Sequence, residues 1–373
     1  MRDGLSVRVP VSGQVSNEAE VDALVAVARS NHWAGGSKVI EFERAFAKFH
    51  GYKHGIFTNS GSSANLLAIG NYCTGDDYAV LTATVSACSF PTTVNPLFQN
   101  DVRPYFVDIE LGSYLPKYPV DIGCHPLGNF CSSGDIIDSC DGCYPGEDTR
   151  TATFSFFPAH FMSTGEGGMV LTNDTQEFIR LRSMRDWGRD CWCLPGQDNT
   201  CGHRFDYTVD GIPYDHKYTY STMGYNLKAT DLQAAVGIEQ LKKLPTFLEK
   251  RRHNFKYLFE QLCGLEDYFY LPVSYKPDTA WFGFPLTIRE DATFTRAELT
   301  KYLDDNGVAT RLMFGGNITR QPYMKGKVFD ADPLPNADAV MERGFWIGCW
   351  HGLNDEQLDY ASDTISDFVK GTQ

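Results

Sequence analysis

The sequence predicts an α/β chain of two domains, on three observations. Its 373 residues exceed what a single hydrophobic core usually serves. Residues 55–69 read as a short strand, a small polar turn and an apolar helix. The C-terminal third alternates again: residues 281–287 extended, 296–306 helical, 308–314 extended. The formal net charge of −14 argues against a nucleic-acid-binding surface. No apolar run approaches the ~20 residues of a membrane span. The opening MRDGLSVRVPVSG carries no apolar h-region, so a cytoplasmic chain without a secretory signal is expected.

Taken in order, Val21, Leu24, Val25 and Ala28 recur at helical spacing, and Val39, Phe42, Phe46 and Phe49 repeat the pattern. Trp33-Ala34-Gly35-Gly36 joins these two helices. Gly55 to Thr58 is a strand running into Asn59-Ser60-Gly61-Ser62-Ser63-Ala64-Asn65. Unpaired backbone N–H groups at such a helix start, with the helix dipole, suit a phosphate. Ala79–Ala83 and Pro104–Asp108 read as further strands, and Phe90 between them reads as core. Residues 119–143 are unusual. His125-Pro-Leu-Gly128-Asn129 stands only a few residues before Gly134-Asp-Ile-Ile-Asp138. A parallel crossover normally needs a dozen or more residues, more than stand between these two stretches, so the crossover is shortened. The return is then tight extended chain, or the local strand order differs. Thr230 with Gln233 forms a capping-box pattern before a helix whose stripe is Leu232, Ala235, Val236 and Leu241. Pro245 starts a basic helical stretch, which places the domain boundary there: residues 1–244 and 245–373.

Eleven cysteines are an odd number in a long chain without an export signal. A disulfide framework explains them poorly, and metal or redox use of a subset explains them better. Cys73, Cys88, Cys263 and Cys349 lie singly in apolar surroundings and read as small buried residues. Cys191-Trp-Cys193, seven residues and Cys201 form a different pattern, in a Pro-, Gly- and Asn-rich loop spanning residues 190–203. Thiols this close do not bridge each other easily, but both reach one metal. Structural zinc and an iron–sulfur cluster are equally compatible with that spacing.

The stretch Ser155 to Gly168, SFFPAHFMSTGEGG, is where the functional residues gather. An apolar strand ends at Ser155, and His160 follows on irregular backbone before a Gly-Glu-Gly-Gly turn. Ligands collect at such strand ends in open α/β sheets. The stretch resembles the sugar aminotransferase family of pyridoxal-phosphate proteins, of fold type I. There a lysine occupies the position of His160 and binds the cofactor covalently. A histidine at this point resembles the branch of nucleotide-4-keto-6-deoxyhexose 3-dehydratases. The Cys-x-Cys-x7-Cys segment is similar to that of the iron–sulfur members of the branch.

The resemblance covers nearly the whole chain. It implies a large domain with a mainly parallel sheet flanked by helices, and a smaller C-terminal α/β domain. It implies non-covalent pyridoxamine 5′-phosphate (PMP, the amine form of PLP) with its phosphate on Gly61, Ser62 and Ser63. Phe90 would stack on the pyridine, Asp138 would pair with its nitrogen, and Ser155 would lie in the same cofactor site. Asn226 of Gly224-Tyr225-Asn226 would cross a homodimer interface to the partner's phosphate, so that active sites are shared. Trp33 would lie near the substrate. A [2Fe-2S] cluster would be held by Cys140, Cys191, Cys193 and Cys201, with Cys143 second choice to Cys140. His160 would be the general base in C3 deoxygenation of a nucleotide-linked sugar, CDP-linked by resemblance. An NAD(P)H-dependent iron–sulfur flavin reductase would be the partner. Arg311, on a predicted strand, would clamp a diphosphate. Two alternatives stay open: a cluster-free dehydratase regenerated by glutamate, and a non-catalytic sugar-nucleotide-binding homologue with structural zinc.

Overall fold

The computed structural model describes residues 8–74, 80–132, 134–146, 149–191, 193, 199–200 and 202–372. Helices α1 (Glu18–Arg29) and α2 (Ser37–Phe49) lead to strand β1 (His54–Thr58), helix α3 (Gly61–Cys73), β2 (Thr82–Ser86), α4 (Pro91–Gln99) and β3 (Arg103–Val107). Then come β4 (Ile122–Cys124), β5 (Ile136–Asp138), β6 (Thr151–Ser155), β7 (Gly168–Thr172) and α5 (Thr175–Arg185). A hairpin of β8 (Tyr207–Val209) and β9 (Ile212–Tyr214) precedes the long helix α6 (Asp231–Leu262). The chain ends with β10 (Phe269–Tyr270), β11 (Gly283–Ile288), α7 (Arg296–Asp305), β12 (Thr310–Arg311), β13 (Asp330–Ala331), α8 (Pro335–Arg343), β14 (Gly344–Gly348) and α9 (Asp355–Gly371).

Two sheets organise these elements. The larger has the order β1-β7-β6-β5-β4-β2-β3-β13. All its neighbours pair in parallel except β7, which runs against both β1 and β6. Its central strands are buried on both faces, which is why they read as short apolar runs rather than alternating ones. The smaller sheet, β10-β11-β14-β12, is antiparallel throughout. This is the expected architecture of a large, mainly parallel sheet with a smaller second unit.

Helix α6 links the two units. It opens on the expected capping box, with Thr230 and Gln233 bonding reciprocally. It then runs unbroken through Pro245 and packs against α1 and α2 as well as α9. The two helices expected around residue 245 are therefore one, and the proposed boundary at 244/245 falls inside it. Gly237 is required there, because a Cβ would meet the Phe42 ring at 2.7 Å.

The residues 125–135 connect β4 to β5 directly, and the two strands pair in parallel, Cys124 opposite Asp138. Among the described residues this return carries only a 3₁₀ turn, Pro126–Gly128. Extended chain, not an altered pairing of these strands, thus replaces the crossover helix. Backbone strain is concentrated in the turn, where Leu127 has φ of 45°. Gly128 has φ of 89°, and a Cβ there would touch three backbone atoms within 2.9 Å.

Several local expectations shift. The strand expected at Ala79–Ala83 begins at Thr82, and Ala79 lies outside the described residues. The strand expected at 308–314 is confined to Thr310–Arg311, because the chain turns at Phe314 with φ of 47°. Val21, Leu24 and Val25 face outward from α1, which instead buries Val27 and Glu20. Lys243 donates to both Glu20 carboxylate oxygens and Gln240 to one, so ion pairing anchors the helix. Cys73, Cys88 and Cys349 are buried as expected, but Cys263 is exposed just past the end of α6. Among the described residues, no helix is long and apolar enough to cross a membrane.

Candidate active site

His160 lies at the bottom of a cleft at the C-terminal edge of the parallel strands. Gly61, Ser62, Phe90, Asp138, Cys140 and Ser155 line it with His160, so seven of the residues singled out from sequence converge. Most come from the start or end of a regular element, while Cys140 and His160 lie on the turns just after β5 and β6. Gly61 and Ser62 begin α3, Asp138 ends β5, and Ser155 ends β6.

The helix start is built as an anion site. Ser60 caps α3, its Oγ accepting from the Ser63 N–H. This ties Ser63 into the cap, away from the cleft lining. Ser62 Oγ instead donates to Thr92 Oγ1 at 3.2 Å, at the cleft edge. Gly61 permits a close approach: a Cβ there would lie 2.5 Å from Ser155 Cβ and 2.9 Å from Cys140 Sγ.

Asp138 is buried and held from three sides. Asn65 Nδ2 and Thr93 Oγ1 donate to Oδ2 at 2.7 and 2.6 Å, and the Cys140 N–H donates to Oδ1 at 3.0 Å. Thr153 Oγ1 on β6 holds Asn65 in turn at 2.5 Å. An ionised carboxylate accepts about four hydrogen bonds, so this one retains capacity toward a ring N–H.

His160 has a side chain only 15% exposed. Its N–H donates to the Phe157 carbonyl, and its own carbonyl accepts from Arg251 Nη2. Its Nδ1 is buried without a hydrogen bond, and Asp141 Oδ1 stands 3.6 Å away. Burial, reinforced by the Arg251 guanidinium, pushes the imidazole pKa down to about 3. Burial and the Asp138 carboxylate push Asp141 up to about 8. At neutral pH the imidazole is therefore a neutral acceptor beside a protonated acid.

Arg251 underpins this arrangement from α6. It is fully buried, donates to the carbonyls of Trp281 and Phe282, and lies 4.3 Å over the Phe161 ring. Burial lowers its pKa to about 10, so it keeps its charge. Neither Asp141 nor Arg251 emerged from sequence. Asp141 follows Asp138 by three residues and was within reach of motif reading. Arg251 lies on a helix with no motif to mark it.

Phe90 is not core. It is 49% exposed at the cleft mouth, edge-on to Phe314 at 6.4 Å. His125 lines the cleft but is satisfied structurally: Nδ1 accepts from the Cys131 N–H, and Nε2 lies 2.9 Å from the Tyr144 carbonyl. Asn226 is exposed and outside its own chain's cleft, accepting from Lys228 Nζ. Arg311 is exposed and also outside it, with Nη1 on the Thr310 carbonyl. Trp33 is 56% exposed, its indole N–H on the Ala28 carbonyl.

The cysteines divide. Cys140 belongs to the cleft, where burial and Asp138 raise its thiol well above the usual range. Cys143 is buried nearby, pushed up to about 12 by burial. Cys191 and Cys193 sit together elsewhere, beside His216, which sequence reading did not single out. Cys201 lies outside the described residues.

The unbonded His160 Nδ1, the glycine cradle at the α3 start and the oriented Asp138 fit a pyridine cofactor bearing a phosphate. The chain is 41% identical to dTDP-4-dehydro-2,6-dideoxy-D-glucose 3-dehydratase of Saccharopolyspora spinosa, over 98% of this chain and 87% of that protein. It is 39% identical to lipopolysaccharide biosynthesis protein RfbH of Salmonella typhimurium, over 98% and 92%. Among solved structures, Escherichia coli GDP-4-keto-6-deoxy-D-mannose-3-dehydratase with bound hydrated PLP superposes with a TM-score of 0.84 at 24% identity, covering 97% of this chain and 100% of that one. This last likeness concerns the fold. The family profile matches residues 14–119 and 139–366, leaving out the segment that holds the shortened crossover. The chain belongs to the DegT/DnrJ/EryC1/StrS aminotransferase family.

Proposed function

We propose that this chain is a PMP-dependent 3-dehydrase of a nucleotide-linked 4-keto-6-deoxyhexose, with an iron–sulfur centre on the Cys191–Cys193–Cys201 segment. The observation that carries the reading is His160 in a cleft whose described lining has Asp138 and no lysine. Among the described lining residues, no lysine amine competes for a carbonyl. The 3-dehydratase names among the relatives support the same reaction class.

When bound, PMP would supply an amine for the sugar ketone and a ring that withdraws electrons, and the cluster would supply single electrons from a reductase. The residues divide the remaining work. Gly61, Ser62 and the first N–H groups of α3 bind the phosphate. Asp138, fixed by Asn65 and Thr93, holds a proton on the pyridine nitrogen. Phe90 covers the ring face, with Ser155 beside it. His160 is the general base, its neutral imidazole accepting a proton at a ring nitrogen. Arg251 holds the His160 backbone through its carbonyl, and burial together with the Arg251 guanidinium keeps that imidazole neutral. Asn226, exposed and away from its own cleft, serves a partner subunit's site in a homodimer.

The test is an anaerobic UV–visible spectrum with iron and sulfide assay, on wild type and Cys193→Ser, together with analysis of sugar products. About two irons and two sulfides per chain, lost in the variant, with reductase-dependent deoxygenation, is the expected result. Iron-free protein that turns over with glutamate would replace this reading with the cluster-free dehydratase. Zinc, with no cofactor absorbance, would replace it with the non-catalytic homologue.

A further inference from the structure

One aromatic side chain crosses to the cleft from the C-terminal unit. Among the described lining residues, all but one run from Gly61 to His160, and the exception is Phe314, just past β12. Its ring stands 6.4 Å from that of Phe90, tilted by 69°. That spacing and tilt are those of an attractive edge-to-face pair.

Phe314 is held there against its own backbone preference. Its φ of 47° lies in a region that bulky residues rarely enter. The chain turns at this point instead of continuing β12, and bonds on both sides hold the turn. Trp346 Nε1 donates to the Leu312 carbonyl at 3.0 Å, the Gly316 N–H to the Met313 carbonyl at 2.8 Å, and Gln321 Nε2 to the Gly315 carbonyl at 2.7 Å. The Ile318 N–H then reaches across to the large sheet, donating to the Ala87 carbonyl at 2.9 Å. Ala87 lies three residues before Phe90, on the segment between β2 and α4. On that segment the Ser89 hydroxyl donates back to the Ser86 carbonyl at 2.9 Å. The turn therefore grips the Phe90 segment twice, once through backbone and once through the ring. Strained backbone of this kind persists where its surroundings over-determine it, and it collects at ligand sites.

We propose that Phe314 is a positioning residue, its ring holding the Phe90 ring over the plane of the cofactor's pyridine. This rests on the reading that PMP binds the cleft with Phe90 against its ring. A phenylalanine at a cleft mouth has several staggered rotamers open to it. Contact with Phe314 selects one of them before the ligand arrives, which lowers the ordering cost of binding.

The deciding measurement is a double-mutant cycle on full-length protein, with PMP affinity read by absorbance titration and melting temperature by calorimetry. Phe314→Leu is expected to weaken PMP binding about 2- to 10-fold, and Phe314→Tyr, which keeps the ring, to bind as wild type does. In a Phe90→Leu background, Phe314→Leu is expected to add no further loss. Phe314→Gly removes the ring and relieves the left-handed backbone. It should keep the wild-type melting temperature and still bind PMP as weakly as Phe314→Leu, so it carries the test if Phe314→Leu fails to fold. Equal losses in the wild-type and Phe90→Leu backgrounds, or no loss in either, overturn the assignment and leave the cofactor reading intact. Wild-type protein that does not bind PMP removes the cofactor reading, and the assignment with it.

Discussion

His160 and Cys191 are held by two different kinds of backbone. Around His160, the start of α3 and the ends of β5 and β6 converge, and buried hydrogen bonds lock Asp138, Asn65 and Thr153 across three elements. Around Cys191, the partners are a loop, a solvent-exposed hairpin and one 3₁₀ turn. The first site is rigid because its supports are also the core of the sheet. Among the described residues, the second is tied to local bonds around Asp215. A site of the first kind should be damaged through packing, and one of the second kind through loss of its ligands alone.

The largest effect separates the two sites directly. His160→Asn should lower turnover by ~10²–10⁴-fold while leaving iron content and melting temperature unchanged, read by product formation, iron assay and calorimetry. Arg251→Leu comes next. It strips a donor from the carbonyls of His160, Trp281 and Phe282, and buried unpaired acceptors cost about 1–3 kcal/mol each. A loss of about 3 kcal/mol in urea unfolding is expected, and a loss below 1 would show that the cleft does not depend on this support. Gly61→Ala should push its Cβ into Ser155 and Cys140. Overpacking of about 1–3 kcal/mol is expected, with weakened cofactor binding read by absorbance titration.

A pH dependence follows from the buried histidines. Burial lowers His50, His160 and His351 to about 3 and His125 to about 4. Between those values and the ordinary 6.5, the unfolded chain binds more protons than the folded one, so stability is full above pH 6.5 and falls as pH drops below it. Asp141, raised to about 8, runs the other way: its contribution is full below the ordinary 3.8 and is lost as pH rises through 8. His50 stacks on Phe154 and has an unbonded Nε2. His50→Phe should therefore flatten the acid slope by at most about 1.4 kcal/mol per pH unit, measured by denaturant titrations at pH 5, 6 and 7. An unchanged slope would show that His50 does not titrate with folding. The smallest effect belongs to the loop. Cys193→Ser in metal-free protein should change stability by less than about 0.5 kcal/mol; a larger loss would mean that the loop supports the core after all.

The first site was legible because its residues sit beside local signals. A strand-end serine, a Gly-Ser helix start and an aspartate after two isoleucines each announce a position on the sheet edge. Phe90 was legible only through resemblance, since an aromatic residue gives no local sign of whether it faces core or cleft. Arg251 and His216 were not legible, because each reaches its partners from a distant element with no motif around it. The apolar spacing in α1 was equally ambiguous. Periodicity gives the helix, but the face it buries depends on Glu20 meeting Lys243 and Gln240 of α6.

By itself, the sequence determined the α/β class and the cap of α6, because these depend on residue type and short-range spacing, while the exchange of lysine for His160 and the missing crossover helix were read through resemblance. Only the tertiary structure decided that the shortened crossover still pairs β4 with β5 in parallel. It alone separated Cys140 from Cys191 and Cys193, placed Arg251 beneath His160 and brought His216 to the thiols. Those outcomes depend on how far apart in sequence two groups can be and still meet, and that is fixed by packing of whole elements rather than by any local pattern.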